Sequence, residues 1–263
     1  MKTVILIPAR FASTRYPGKP LVKLNLPDGS QKTLIQLSWE AARRINGVHS
    51  VYVVTDDDRI RIAAEAFGAS VIMTSSSCEN GTARCANALV QSNIEADLVI
   101  NFQGDAPLTP PWFVEDLIVE MRKNATVQVA TPVIQCDRLT YGHFLEDRRA
   151  CRVGGTTVVF DRLRNALYFS KEIIPFIDPS KIPTNNIPVY HHVGVYAYRP
   201  SALKSYSDWS AGVLEKHEGL EQLRFLENGS SVRCVVVENR GRVHWELNNP
   251  EDVDRIESAF REN

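Results

Sequence analysis

Long apolar runs are missing from this sequence. No stretch of its 263 residues approaches the roughly 20 that a helix needs to cross a bilayer, which excludes a membrane-spanning helix. The opening MKTVILIPAR has one lysine and too few apolar residues for a secretory leader, and it runs straight into a polar motif. A cytoplasmic protein is therefore expected. Charge of one sign is not in excess either. Lys and Arg total 30 against 31 Asp and Glu, a net charge of −1, so nothing draws the chain as a whole to nucleic acid or to an anionic membrane. Cysteine pairing is absent: Cys78, Cys85, Cys136, Cys151 and Cys234 are odd in number and never spaced C-x-x-C. That argues against a disulfide framework or a zinc site and for thiols kept in a reducing compartment. Neither G-x-G-x-x-G nor G-x-x-x-x-G-K-[ST] occurs, so neither a dinucleotide fingerprint nor a P-loop is supported. There is no internal repeat, low-complexity tail or linker. The expectation is a single domain over 1–263, with an inserted arm around 135–190 where Pro-rich and polar stretches interrupt the pattern.

What is present alternates. Short apolar strands read at Val4–Ile7, Val51–Thr55, Ser70–Met73 and Asp97–Phe102, with helical periods at Leu34–Ile45, Arg59–Phe67 and Thr82–Ser92 between them. This is the pattern of an α/β domain whose parallel strands are covered on both faces. Such sheets bind ligands at the carboxyl ends of their strands. Further strands are predicted within 127–134, 154–161, 166–170, 192–199 and 231–238, and helices over Leu214–Leu226 and Pro250–Phe260.

Three polar segments follow strands and should open on one edge. The first, within IPARFASTRYPGKPL, sets Arg10, Arg15 and Lys19 in a turn with Gly18. Cations and approachable backbone N–H groups neutralise phosphate, and three cations suit a triphosphate. Pro8, Ala9, Arg10, Ser13, Arg15 and Lys19 are thus candidate nucleotide contacts. The second, TDDDR, reads by itself as a helix N-terminus, where acids complement the dipole. The third, QGDAP, stops an apolar strand at Gln103-Gly104-Asp105. A carboxylate there, facing the cations, suits Mg²⁺, which takes one or two carboxylates plus phosphate oxygens. Thr82 and Arg84 open a helix whose N–H groups could carry a base or a phosphate.

In their order along the chain, IPARFASTRYPGKPL, VVTDDDRI, NGTAR, NFQGDAPL, ALYFSKEIIPF, HHVGVYAYR and GLEQLRFLENG resemble the 3-deoxy-manno-octulosonate (Kdo) cytidylyltransferases, the CMP-Kdo synthetases. The resemblance runs from about residue 3 to 256. It implies a nucleotide-diphospho-sugar transferase fold, a mixed sheet with helices on both faces and a dimerisation arm, working as a cytoplasmic homodimer. It also implies the reaction of CTP with Kdo to give CMP-Kdo and pyrophosphate, with Mg²⁺, for lipopolysaccharide or another surface polysaccharide. Carried over residue by residue, Arg10 and Lys19 hold the triphosphate while Ser13 and Arg15 shape its loop. Gln103 and Asp105 face sugar and metal, and His192, Tyr196, Glu221 and Gln222 match the sugar-acid pocket. Arg10, Lys19 and Asp105 are the catalytic candidates.

Four positions depart from the family pattern. Ala83 and Ala106 stand where acids are usual, and Lys171 replaces an arginine, whose planar fork a lysine cannot reproduce. Asn248 occupies the place of a second metal-binding aspartate, with Glu246 two residues earlier as a substitute ligand. All four fall on the acceptor and metal side. They keep open a different acidic acceptor (an amino-Kdo, a nonulosonic acid or a phosphonate), and Asn248 alone keeps open a nucleotide-binding protein that has lost catalysis.

Overall fold

The first strand, β1 (Thr3–Ala9), explains the sheet around it. Ile5, Ile7 and Ala9 pack into one apolar cluster, while the alternating Val4 and Leu6 pack into another on the opposite face. A strand buried on both sides reads as an unbroken apolar run, and each such side chain contributes about 1.5–3 kcal/mol on burial. A computed structural model describes residues 1–12, 16–153, 155–184, 186–242, 246–247 and 249–262.

After β1 come a hairpin, β2 (Lys23–Asn25) and β3 (Gln31–Thr33), then α1 (Leu34–Arg43), β4 (Ser50–Thr55), α2 (Asp58–Ala66), β5 (Ser70–Met73), α3 (Gly81–Ser92), β6 (Leu98–Asn101) and α4 (Pro111–Lys123). The second half runs β7 (Val129–Gln135), α5 (Arg138–Arg149), β8 (Thr157–Phe160), β9 (Ala166–Ser170), β10 (Tyr190–His192), β11 (Tyr196–Tyr198), α6 (Pro200–Asp208), α7 (Val213–Glu218), α8 (Leu223–Glu227), β12 (Arg233–Val236) and α9 (Asp252–Glu262). The sheet order is β5-β4-β1-β6-β11-β7-β10-β8-β9, with β12 beside β7. β5, β4, β1 and β6 are mutually parallel and β11 is antiparallel to β6, so the sheet is mixed. Apolar residues of α1, α2 and α4 cover one face, and those of α3, α6 and α8 the other. Among the described residues no helix is long and apolar enough to cross a membrane, and all five cysteines are free thiols.

Besides the helices α4 and α6, which the sequence reading does not include, three segments differ from it. The strand expected over 192–199 is broken between β10 and β11. There Val195 N–H turns back on the Val193 carbonyl, and Thr131 Oγ1 lies 3.2 and 2.8 Å from the Val193 and Val195 carbonyl oxygens, which a straight ladder would have paired. The helix expected over Leu214–Leu226 is cut by Gly219, a left-handed C-cap at φ 62°, so Glu221 and Gln222 lie in a turn. Asp137–Arg149 is mostly helix α5, capped by Asp137, whose carboxylate accepts from Thr140 N–H at 2.7 Å. Residues 135–190 carry a small core of their own, Cys136, Tyr141, Phe144, Ile187 and Val189.

Candidate active site

Because β1, β4 and β6 are parallel neighbours, the segments after them open on one edge. The turn after β6 is fixed by contacts that tolerate only glycine. A Cβ on Gly104 would lie 2.9 Å from the Pro8 carbonyl oxygen, and Ser38 of α1 donates to the Gly104 carbonyl at 2.9 Å. The end of β6 is thereby held against the end of β1. The opening loop folds back so that Gly18 N–H donates to the Phe11 carbonyl at 3.0 Å, with Gly18 left-handed at φ 72°. Lys19 then starts a short 3-10 turn, and its Nζ reaches Asp105 Oδ2 at 2.5 Å. Pro8 and Ala9 finish β1 and Arg10 follows, exposed and without an ion pair among the described residues. Ser13 and Arg15 lie outside the described residues.

The acids after the second strand serve the scaffold. Asp57 caps α2, accepting from Arg59 N–H at 2.9 Å. Asp56 pairs at 3.1 Å with Arg84, whose other contact is Thr74 Oγ1 at 2.6 Å. The Arg84 guanidinium is thus packed beneath the edge and not presented on it. The first turn of α3 is already supplied with acceptors. Asn80 takes Ala83 N–H at 2.8 Å, and the Glu221 carboxylate takes Thr82 N–H at 3.1 Å. The Thr82 hydroxyl bonds the Tyr198 hydroxyl at 2.8 Å. Burial pushes the Glu221 carboxyl above its ordinary range, against the pull of these N–H donors.

A second group lies on the α3 side of the sheet. Tyr196 donates to Gln222 Oε1 at 3.0 Å, and both are almost fully buried. His192 packs edge-on to Phe169 and tilted against Tyr196, and its Nε2 is 2.9 Å from Thr131 Oγ1. Desolvation pushes its pKa down to about 3, so the ring is neutral at physiological pH. Gln103 and Glu246 flank Gly194: a Cβ there would stand 3.2 Å from Glu246 Oε1 and 3.6 Å from Gln103 Cγ. The late segment reaches the edge through Leu247, whose N–H donates to the Asp105 carbonyl at 2.9 Å. Leu247 is fully buried in the cluster formed by the hairpin, α1 and α9. Asn248 lies outside the described residues. Lys171 is exposed, with Nζ 3.1 Å from a Cβ position on Gly219, beside the turn that carries Glu221 and Gln222.

Two features escaped the sequence reading. Glu221 bonds α3 as well as lying beside the sugar-pocket candidates, a contact between residues 139 apart in sequence that no local pattern announces. Asn101 ends the otherwise apolar β6 and is fully buried, with both ends of its carboxamide unpartnered among the described residues. A polar residue closing a buried strand two positions before Gln103 was the available signal.

The donor set can be tested against Mg²⁺. Among the described residues no cluster of three or more His, Cys, Asp or Glu could cage a metal. Asp105 is a partly exposed carboxylate facing a lysine. That suits a hard cation held by one carboxylate together with phosphate oxygens, with Glu246 on the neighbouring segment.

Comparison with known proteins agrees with this geometry. Residues 4–234 match the family described as Cytidylyltransferase. A 3-deoxy-manno-octulosonate cytidylyltransferase of Maricaulis maris is 40% identical over 99% of this chain and 97% of that protein. An 8-amino-3,8-dideoxy-manno-octulosonate cytidylyltransferase of Shewanella frigidimarina is 38% identical over 98% of each. The solved structure of CMP:2-keto-3-deoxy-manno-octonic acid synthetase complexed with CTP superposes with a TM-score of 0.83 at 33% identity, covering 100% of this chain and 99% of that one.

Proposed function

This chain belongs to the cytidylyltransferase family and is a nucleotidyltransferase, and we propose that it activates Kdo as CMP-Kdo, with release of pyrophosphate, in the cytoplasm and as a homodimer. The observation that carries this reading is the meeting of Lys19 from the opening loop with Asp105 from the β6 turn at 2.5 Å, in a chain of this family. The product would feed lipopolysaccharide or another surface polysaccharide.

In the reaction an acceptor hydroxyl oxygen bonds to the α-phosphorus of CTP, the bond from that phosphorus to the bridging oxygen breaks, and pyrophosphate leaves. Arg10 and Lys19 offset the negative charge that grows on the leaving group, the usual task of a protein in phosphoryl-type transfer. Asp105, with Glu246 or Asn248, would hold Mg²⁺, which supplies charge neutralisation and lowers the acceptor hydroxyl's pKa when bound. Tyr196, Gln222 and Gln103 orient the acceptor, so that attack is effectively intramolecular. His192 is a wall and not a base, because its ring is buried, neutral and already bonded to Thr131. Lys171, beside Gly219 and the Glu221–Gln222 turn, would be the cation for the acceptor carboxylate. Pyrophosphate release from CTP that depends on an added acidic sugar tests the reading. Release without any sugar, or none with one, removes it.

An amino-Kdo is a second acceptor. The nearly equal identity to the Maricaulis and Shewanella relatives favours it.

A further inference from the structure

Asn101 is 0% exposed, and neither its Oδ1 nor its Nδ2 has a hydrogen-bond partner among the described residues. Leaving a buried polar group unpaired is costly, and native structures do so rarely and for a reason. The position supplies one. In register, Asn101 lies between Leu6 of β1 and Tyr196 of β11. A Cβ on Gly81 would stand 3.3 Å from Asn101 Nδ2, 3.5 Å from Gln103 Nε2 and 3.4 Å from Pro8 Cγ. Glycine at position 81 therefore leaves a small space on which two amide nitrogens converge. On the other side of Tyr196 a third amide is half used: Gln222 Oε1 accepts from the tyrosine, and Gln222 Nε2 is buried without a partner.

We propose that Asn101 is a specificity residue of the acceptor site, whose carboxamide receives a hydroxyl group of the sugar. The inference rests on the function proposed above. The chemistry selects the hydroxyl. A carboxamide free at both ends presents an acceptor oxygen and donor hydrogens together, and only a group that can both donate and accept satisfies both. A carboxylate would satisfy Nδ2 alone and set negative charge against Oδ1; an ammonium would satisfy Oδ1 alone. Gln222, with its oxygen taken by Tyr196, offers donors only and reads an acceptor oxygen. Pro8, Gly81 and Gln103 are each partly exposed, so the Asn101 amide lies beneath residues that themselves reach the surface of the site, and contact with the sugar requires Gln103 to move aside.

The test is a comparison of Asn101→Leu and Asn101→Ala with the wild-type full chain. Thermal midpoints are measured alongside steady-state kinetics in CTP and in Kdo or 8-amino-Kdo. At least one variant is expected to match or exceed the wild-type midpoint, because an unsatisfied polar group has gone. The KM for CTP should be unchanged, and kcat/KM for the acceptor should fall about tenfold or more. An acceptor analogue lacking the hydroxyl that Asn101 reads should lose a similar factor with wild type and little with the variants. Two folded variants with wild-type acceptor kinetics would overturn the inference, as would a loss shared equally by CTP and acceptor. Failure of both variants to fold would overturn it too, by making the amide structural. If wild type forms no CMP-sugar from either acceptor, the proposed function itself fails and this inference falls with it.

Discussion

Lys19 Nζ and Asp105 Oδ2 lie 2.5 Å apart, although 86 residues separate them in the chain. The cation of the opening loop and the carboxylate of the β6 turn neutralise each other at the mouth of the sheet edge. Both side chains are partly exposed, at 15% and 23%, so the pair adds little to stability, at most about 1 kcal/mol. On the function proposed above, the pair would hold two opposite charges ready for phosphate and metal.

Lys19→Ala should therefore separate activity from folding. The thermal midpoint should move by no more than a few degrees. Loss of one charged phosphate contact, worth about 1.5–3 kcal/mol, should lower kcat/KM for CTP by roughly 10- to 150-fold. Arg10→Ala, at an exposed position, should behave alike. CTP kinetics unchanged in both variants would remove the opening loop from the site.

Metal dependence should follow Asp105. Asp105→Asn is expected to abolish nearly all turnover, with partial rescue at high Mg²⁺. Leu247 N–H on the Asp105 carbonyl brings the late segment to the same place. If Glu246 is the second ligand, Glu246→Gln should raise the Mg²⁺ needed for half-maximal rate while Asn248→Asp does little. If Asn248 is the ligand, Asn248→Asp should lower it. Mg²⁺ titrations of the three variants decide. No change in any of them places the metal elsewhere.

Gly104→Ala should be damaging although it adds only a methyl group. Its Cβ would meet the Pro8 carbonyl oxygen at 2.9 Å, and backbone cannot step aside as a flexible side chain can. A loss of about 1–3 kcal/mol is expected. Chemical denaturation measures it, and a stability equal to wild type would show that the two strand ends are not held as described.

The fold was legible in β1, β4, β5 and β6 and the helices between them, because the strands are short apolar runs, most continuous in β1 and β6, which are buried on both faces, and the helices carry clear periodicity. It was illegible where a single contact overrides the pattern. The residues around Gly194 carry a strand-like sequence, yet Thr131 captures the carbonyls that a continuous ladder would use. The helices α4 and α6 were missed although each opens on a proline, Pro111 and Pro200, in the position where proline favours a helix start. At the site, Lys19 and Asp105 stood out because charged residues close strands there. The burial of Arg84 against Asp56 could not be read from sequence, because it depends on how deeply α3 packs.

His192 should make the protein acid-sensitive in a defined direction. Its folded pKa is pushed down to about 3 from an ordinary value near 6.5 by burial. The unfolded chain therefore binds the proton first. The contribution of His192 is full above about pH 6.5 and is lost by roughly 1.4 kcal/mol per pH unit below it, down toward the folded value, and the neighbouring His191, pushed down to about 4 by burial, adds a loss of the same sign. Thermal midpoints measured between pH 7.5 and about 5 should show this slope, and His192→Asn should reduce it. An identical pH slope in the variant would mean that the imidazole is not buried neutral.

³¹P NMR of the full chain with CTP, Mg²⁺ and Kdo or 8-amino-Kdo reads the identity of the reaction. The triphosphate resonances should disappear only when sugar is present. They should be replaced by a phosphodiester signal of the CMP-sugar and an equal amount of pyrophosphate, with wild type active and Asp105→Asn nearly silent. CTP left intact with both sugars, or cleaved without forming a phosphodiester, would contradict the proposed reaction.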